Sequence, residues 1–211
     1  MTLIAENLQA IKAKIANSGK GAEVIAVSKN HGTDAVRAAI NAGQFLFGEN
    51  RVQEAYSKFP EIKKEFTGVK LHLIGPLQTN KVKDALALFD VIQTLDREKL
   101  AKEFVKHGAK QEMFIQVNIG REEQKAGIAP EETAAFYKFC TDLGLNVVGL
   151  MCIPPADAEP SPFFKALIDI KNKINPALKL SMGMSGDYEG AASLGADFVR
   201  IGTAIFGERK Y

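Results

Sequence analysis

The chain has 211 residues, 46% hydrophobic and 25% charged, enough for one substantial core and too few for two large domains, so residues 1–211 are expected to form a single domain. Its 27 basic and 25 acidic side chains leave a formal charge of +2, and no Lys/Arg cluster alternates with aromatics, which argues against a nucleic-acid surface or a polybasic membrane patch. Cys140 and Cys152 lack metal-site spacing, the N-terminal segment lacks the basic-then-apolar order of a secretion signal, and no run of ~18 apolar residues occurs, so a metal-free cytoplasmic protein with a small-molecule partner is expected.

Ile4, Leu8, Ile11 and Ile15 form the stripe of an amphipathic leading helix that ends before Ser18-Gly19-Lys20-Gly21. Short apolar runs follow at 24–27, 45–48, 71–74, 91–93, 113–117, 147–150, 178–181 and 198–201, each read as a strand. Helical patterns lie between them at 34–42, 96–107, 130–142 and 187–194, closed by Gly43, Gly108 and Gly195 or opened by Pro130. The proline-rich stretch 153–162 reads as a long loop after the sixth strand. Eight βα units in about 210 residues predict a compact (β/α)8 TIM barrel with an extra N-terminal helix; an open doubly wound sheet is the alternative.

Lys29 stands at the polar end of Val24-Ile25-Ala26-Val27-Ser28-Lys29-Asn30. A buried strand would deliver its amine to the barrel mouth, where apolar walls disfavour the ammonium form and expose a nucleophile suited to an aldehyde. A solvated lysine just past a strand is the plainer alternative. Phosphate groups commonly bind between the loops after strands seven and eight of a barrel, and both loops here are small and polar: Ser185 and Gly186 in one, Gly202 and Thr203 in the other. Two helix N-termini converging there would hold a dianion, although each loop alone also suits N-capping. Arg200, inside the last strand, is either half of a buried ion pair or a ligand contact. Asn50 could border a ligand ring or cap the next helix, and Glu49 with Arg51 reads equally as a rim ion pair or as catalysts. His72 reads as a satisfied core histidine, and Asn118 and Lys125 as mouth or loop residues. No Ser/His/Asp order or carboxylate pair stands out.

Taken together, Val27-Ser28-Lys29, Phe47-Gly48-Glu49-Asn50, the stretch from His72 to Lys81, Ser181-Met182-Gly183-Met184-Ser185, and Val199-Arg200-Ile201-Gly202-Thr203-Ala204-Ile205-Phe206-Gly207 resemble the pyridoxal phosphate homeostasis protein family over nearly the whole chain. The resemblance implies a fold type III barrel similar to the N-terminal domain of alanine racemase, with pyridoxal 5′-phosphate as cofactor and Lys29 as its Schiff-base lysine. It further implies that Ser185, Gly202 and Thr203 hold the phosphate with Gly186 beside them, that Arg200 faces the pyridine nitrogen, and that Asn50 borders the cofactor. One departure is Gly190, which weakens the helix after Ser185 by ~1 kcal/mol relative to alanine.

An arginine at the ring nitrogen disfavours its protonation and makes a weak electron sink. Alanine racemase adds a second domain and a partner-subunit tyrosine; this sequence ends at Tyr211, and Tyr56, Tyr137, Tyr188 and Tyr211 stand in no motif that marks such a base. The expected function is therefore to store, buffer or deliver the vitamer, in vitamin B6 homeostasis, to apo pyridoxal phosphate-dependent enzymes. The rivals are an amino-acid racemase and a regulator whose occupancy changes a protein partner.

Overall fold

In the computed structural model, which describes residues 2–18 and 21–208, strands and helices alternate along the chain. A leading helix α1 (Leu3–Asn17) precedes β1 (Glu23–Val27), α2 (Thr33–Asn41), β2 (Leu46–Glu49), α3 (Val52–Tyr56), α4 (Phe59–Glu65), β3 (Lys70–Leu73), α5 (Val82–Leu88) and β4 (Val91–Leu95). There follow α6 (Glu98–Lys106), β5 (Glu112–Val117), α7 (Thr133–Asp142), β6 (Val147–Cys152), α8 (Ser161–Ile174), β7 (Lys179–Ser181), α9 (Tyr188–Leu194), β8 (Phe198–Ile201) and α10 (Thr203–Phe206). The strands pair in parallel in chain order and β1 also pairs with β8, so the sheet closes into an eight-stranded barrel and the open-sheet alternative falls. Parallel neighbours need a crossover after every strand, which the outer helices supply.

Because successive strand residues face opposite ways, the core divides into two layers. Ile25, Val91, Phe114, Met151 and Phe198 fill the barrel interior. The other faces meet the helices, as where Phe47 of β2 lies 5.7 Å from Phe59 of α4, ring to ring. The α1 stripe is buried at Leu8, Ile11 and Ile15. This helix packs on α2, α9 and α10, and Asn7 Nδ2 donates to the Ile205 carbonyl at 3.0 Å, so the leading helix steadies the segment that follows β8.

Three departures from the sequence pattern have physical causes. Strand β2 begins one residue later than the apolar run, leaving Phe45 exposed and carrying Glu49 into the strand. The stretch 153–162 is not all loop: α8 starts at Ser161 with Pro162 in its first turn, where a missing N–H costs no hydrogen bond. Helices α3, α4 and α5 have five to seven residues each, too few turns to announce themselves by period. Gly19 and Lys20 of the expected breaker lie outside the described residues. Among the described residues no helix is long and apolar enough to cross a membrane.

Candidate functional site

A cleft of about 300 Å³ opens at the C-terminal ends of the strands, and Lys29, Asn50, Ser185, Gly186, Arg200, Gly202 and Thr203 all line it. The barrel converges these residues from β1, β2, β7 and β8, which are far apart in sequence but adjacent around the closed sheet. No carboxylate is among the lining residues, which include the Lys29 amine, the Arg200 guanidinium, the Ser185 and Thr203 hydroxyls and three glycines.

Lys29 follows β1 in a turn. The Ser28 N–H reaches the Gly48 carbonyl at 3.2 Å and the His31 N–H turns back to the Ser28 carbonyl at 3.1 Å. The lysine is half-buried, with Val27 and Ile74 as apolar lining beside it, which is not the environment of a solvated strand-end lysine. His31 also lines the cleft and stacks on Phe206 with ring centroids 4.9 Å apart. Sequence reading passed over His31, although its place two residues beyond Lys29 was the available signal.

Arg200 is buried inside the barrel and its partners are neutral: Nη1 donates to Ser181 Oγ at 2.7 Å and Nη2 to the Cys152 carbonyl at 2.8 Å. The ion-pair reading is therefore replaced; among the described residues no carboxylate lies within ion-pair distance of Arg200. Burial pushes its pKa down, but a guanidinium starts high enough to stay charged at neutral pH. Since arginine only donates, Ser181 Oγ must accept from it and turn its own proton to Gln93 Oε1, 2.6 Å away. Gln93 Nε2 then donates to His72 Nδ1 at 3.0 Å, which leaves the imidazole proton on Nε2.

His72 is thus a core histidine satisfied at one nitrogen only, for its Nε2 has no partner among the described residues. Burial lowers its pKa from 6.5 to about 4. The folded value lies below the free one, so as pH falls the unfolded chain binds this proton first, and stability declines between pH 6.5 and about 4 on account of this group. Nitrogen-15 NMR at pH 6 is expected to find a neutral His72 ring protonated at Nε2; a doubly protonated ring would break the chain assignment.

The loops after β7 and β8 meet directly: the Gly202 N–H donates to Ser185 Oγ at 3.3 Å. That bond leaves the Ser185 proton available to a ligand oxygen. Neither Ser185 nor Thr203 caps a helix, since α9 is entered through Asp187 and α10 through Gly202, both without a side-chain cap. The two helices are short, seven and four residues, and their first turns reach the cleft through Gly186, just before the α9 N-cap, and through Gly202 and Thr203 at the start of α10. Gly183 adopts φ 93°, and a Cβ there would stand 2.5 Å from that of Ala191. In this conformation its carbonyl accepts the Arg200 N–H at 2.9 Å, tying the Met-Gly-Met-Ser turn to the strand that carries the arginine.

Asn50 does not cap α3, whose N-cap is Arg51. Its backbone is approached so closely by Gly75 that a Cβ there would lie 2.3 Å from the Asn50 carbonyl oxygen, which explains a glycine before Pro76. Glu49 is neither catalyst nor rim partner of Arg51: it is fully buried between β2 and the helices and pairs with Lys58 at 2.6 Å. Asn118 donates to the Glu122 and Lys125 carbonyls and Lys125 to that of Pro154, so both serve loop structure. Tyr56, Tyr137 and Tyr188 do not line the cleft, and Tyr211 lies outside the described residues. Burial pushes the Cys140 and Cys152 thiols up to about 12, and the described residues contain no group of three His, Cys, Asp or Glu side chains placed to hold a metal ion.

The alanine racemase N-terminal domain family matches residues 2–210. The pyridoxal phosphate homeostasis protein of Aquifex aeolicus is 39% identical, over 97% of this chain and 96% of its own, and that of Escherichia coli is 36% identical over 100% and 99%. The structure of PipY from Synechococcus elongatus with pyridoxal phosphate bound superposes with a TM-score of 0.82 at 34% identity, covering 97% of this chain and 100% of that one. Alanine racemase from Acinetobacter baumannii, 18% identical with a TM-score of 0.72, matches 96% of this chain through 60% of its own length and shares the fold.

Proposed function

The chain belongs to the alanine racemase N-terminal domain family and to the pyridoxal phosphate homeostasis proteins within it, and on that premise we propose that it binds pyridoxal 5′-phosphate and holds it for intracellular storage or delivery. The observation that carries this reading is one cleft that joins a half-buried amine, a buried guanidinium and two hydroxyl-bearing loops in hydrogen-bond contact with each other, with no lining carboxylate. That donor set suits a phosphate at one end and an aldehyde at the other.

When bound, the cofactor supplies an aldehyde carbon and an electron-withdrawing ring. Lys29 would hold the aldehyde carbon covalently. Ser185 and Thr203 would donate hydroxyl protons to the phosphate with the amides of Gly186 and Gly202 nearby, and Asn50 would border the ring. Arg200, oriented by Ser181 and the Cys152 carbonyl, would donate to the ring nitrogen and keep it free of a proton, which weakens the ring as an electron sink. That restraint and the other groups in the cleft support holding over turnover. Tyr56 donates to the Asp84 carbonyl and Tyr188 neighbours Lys14 and Glu189, both away from the lining, so no described tyrosine serves as a second base. His31 is the lining group to which a racemase reading would turn.

The test combines spectroscopy with transfer. Protein loaded with pyridoxal 5′-phosphate and freed of excess by gel filtration should keep a yellow absorbance shifted from that of the free cofactor. Borohydride should bleach it and leave the pyridoxyl group on the protein, and the loaded protein should reactivate an apo pyridoxal phosphate-dependent enzyme without saturable racemisation across a panel of amino acids. A protein fraction that leaves the gel-filtration column without cofactor overturns the cofactor assignment, and robust racemisation overturns the carrier reading.

A further inference from the structure

The residues on both sides of Lys29 are held by charges, two buried and one partly exposed, that do not line the cleft. Lys58, which immediately precedes α4, points its ammonium at three oxygens: the Ser28 carbonyl at 2.9 Å, Glu49 Oε1 at 2.6 Å and Glu54 Oε1 at 3.0 Å. All three of its N–H groups are thereby used. Glu49 Oε1 also accepts the Ser28 hydroxyl at 2.7 Å, and Glu54 Oε1 accepts the backbone N–H of Asn30. Asn30 sits at φ 64°, in the left-handed region, which asparagine tolerates better than most non-glycine residues.

The composition of this cluster is costly for a structural filler. Lys58 is only 5% exposed and Glu49 wholly buried, and apolar side chains of similar volume commonly stabilise such a site as well or better. Glu49 Oε2 is left without a partner among the described residues, a further cost. What the cluster touches is specific: the hydroxyl and carbonyl of Ser28 and the amide of Asn30, the two chain neighbours of Lys29. With both neighbours fixed, the Cα of Lys29 and the direction in which its side chain leaves the turn are fixed as well.

We infer that Glu49, Lys58 and Glu54 form a positioning device that presents the Lys29 amine to the cleft. The inference rests on the reading of Lys29 as the cofactor lysine. It separates two parts of binding that use different residues: covalent capture through Lys29, which the cluster governs, and recognition of phosphate and ring through Ser185, Thr203 and Arg200, which it does not touch.

Two vitamers distinguish these parts. Pyridoxal 5′-phosphate has the aldehyde, whereas pyridoxine 5′-phosphate carries an alcohol in its place and cannot bond covalently to an amine. In full-length protein, Glu54→Ala releases the Asn30 amide at a side chain that is already partly exposed, so the fold should survive; Lys58→Met tests the buried centre. Misplacing a reacting group by a fraction of an ångström costs about ten-fold or more, so both variants should lose at least that in affinity for pyridoxal 5′-phosphate or in the rate at which the yellow band forms. Affinity for pyridoxine 5′-phosphate should stay within about two-fold of wild type, as for a substitution remote from the contacts concerned. Glu54→Gln keeps an oxygen for the Asn30 N–H and should restore most of the aldehyde-specific loss. Equal losses for the two vitamers, or none for either, overturn the positioning role while leaving the cofactor reading intact. A wild type that binds pyridoxine 5′-phosphate but from which borohydride traps no pyridoxyl group after loading with the aldehyde overturns Lys29 as the cofactor lysine, and this inference with it.

Discussion

Lys29→Ala is expected to abolish the attachment of pyridoxal 5′-phosphate that borohydride makes permanent, and the shifted yellow band of the unreduced protein, in a protein that melts like the wild type. The loss should be complete because the other candidate lysines near the barrel mouth are committed elsewhere. Lys58 spends all its N–H groups on Ser28, Glu49 and Glu54, and Lys125 is tied to Pro154 and Glu122. Neither amine lines the cleft, and each is held by hydrogen bonds to oxygens outside it. The fold should tolerate the change since Lys29 sits in a turn after β1 and contributes no core packing. Peptide mapping of the borohydride-reduced wild type should place the pyridoxyl group on Lys29, and a tag on any other lysine would end the assignment.

The barrel could be read from the chain because its parallel strands are buried on both faces and appear as unbroken apolar runs, a signal that survives without knowledge of pairing. The runs from Val24, Leu71, Met113 and Phe198 all became strands, and closure followed from their number and from the alternation with helices. Helices as short as α3 and α5 could not be read, because a stripe needs at least two turns to show a period. A one-residue shift had the largest consequence. Read as a rim residue, Glu49 was a candidate for catalysis; placed in β2 with its side chain beside Phe47 on the helix-facing side, it became a buried partner of Lys58.

The cleft residues were accessible for a different reason. Lys29, Ser185 and Thr203 lie just beyond strands, at the end where a barrel places its chemistry, so position together with the family resemblance nominated them. The hydrogen-bond chain from Arg200 through Ser181 and Gln93 to His72 was not accessible, because it joins four strands whose order of contact only the closed sheet defines. The role of Lys58 was hidden too. A lysine in Tyr56-Ser57-Lys58-Phe59 looks like any surface cation until β1 and β2 are seen to pass beneath it.

Removal of the phosphate from the vitamer is expected to weaken binding more than removal of any one protein side chain around it. Ser185 Oγ and Thr203 Oγ1 line the same end of the cleft as the amides of Gly186 and Gly202, and the Gly202 N–H already reaches Ser185 Oγ, so the two loops form one polar surface. A hydrogen bond to a charged group contributes about 1.5–3 kcal/mol, so losing two of them costs about 3 kcal/mol or more, on the order of 100-fold in Kd. Pyridoxal should therefore bind at least that much more weakly than pyridoxal 5′-phosphate, although both offer Lys29 the same aldehyde. Ser185→Ala or Thr203→Ala singly should cost far less, because the backbone amides stay in place, and the double variant should lose more while those amides keep part of the preference for phosphate. Direct titration decides the matter: equal Kd values for the two vitamers in the wild type would remove the phosphate from the β7 and β8 loops and require another place for it in the barrel.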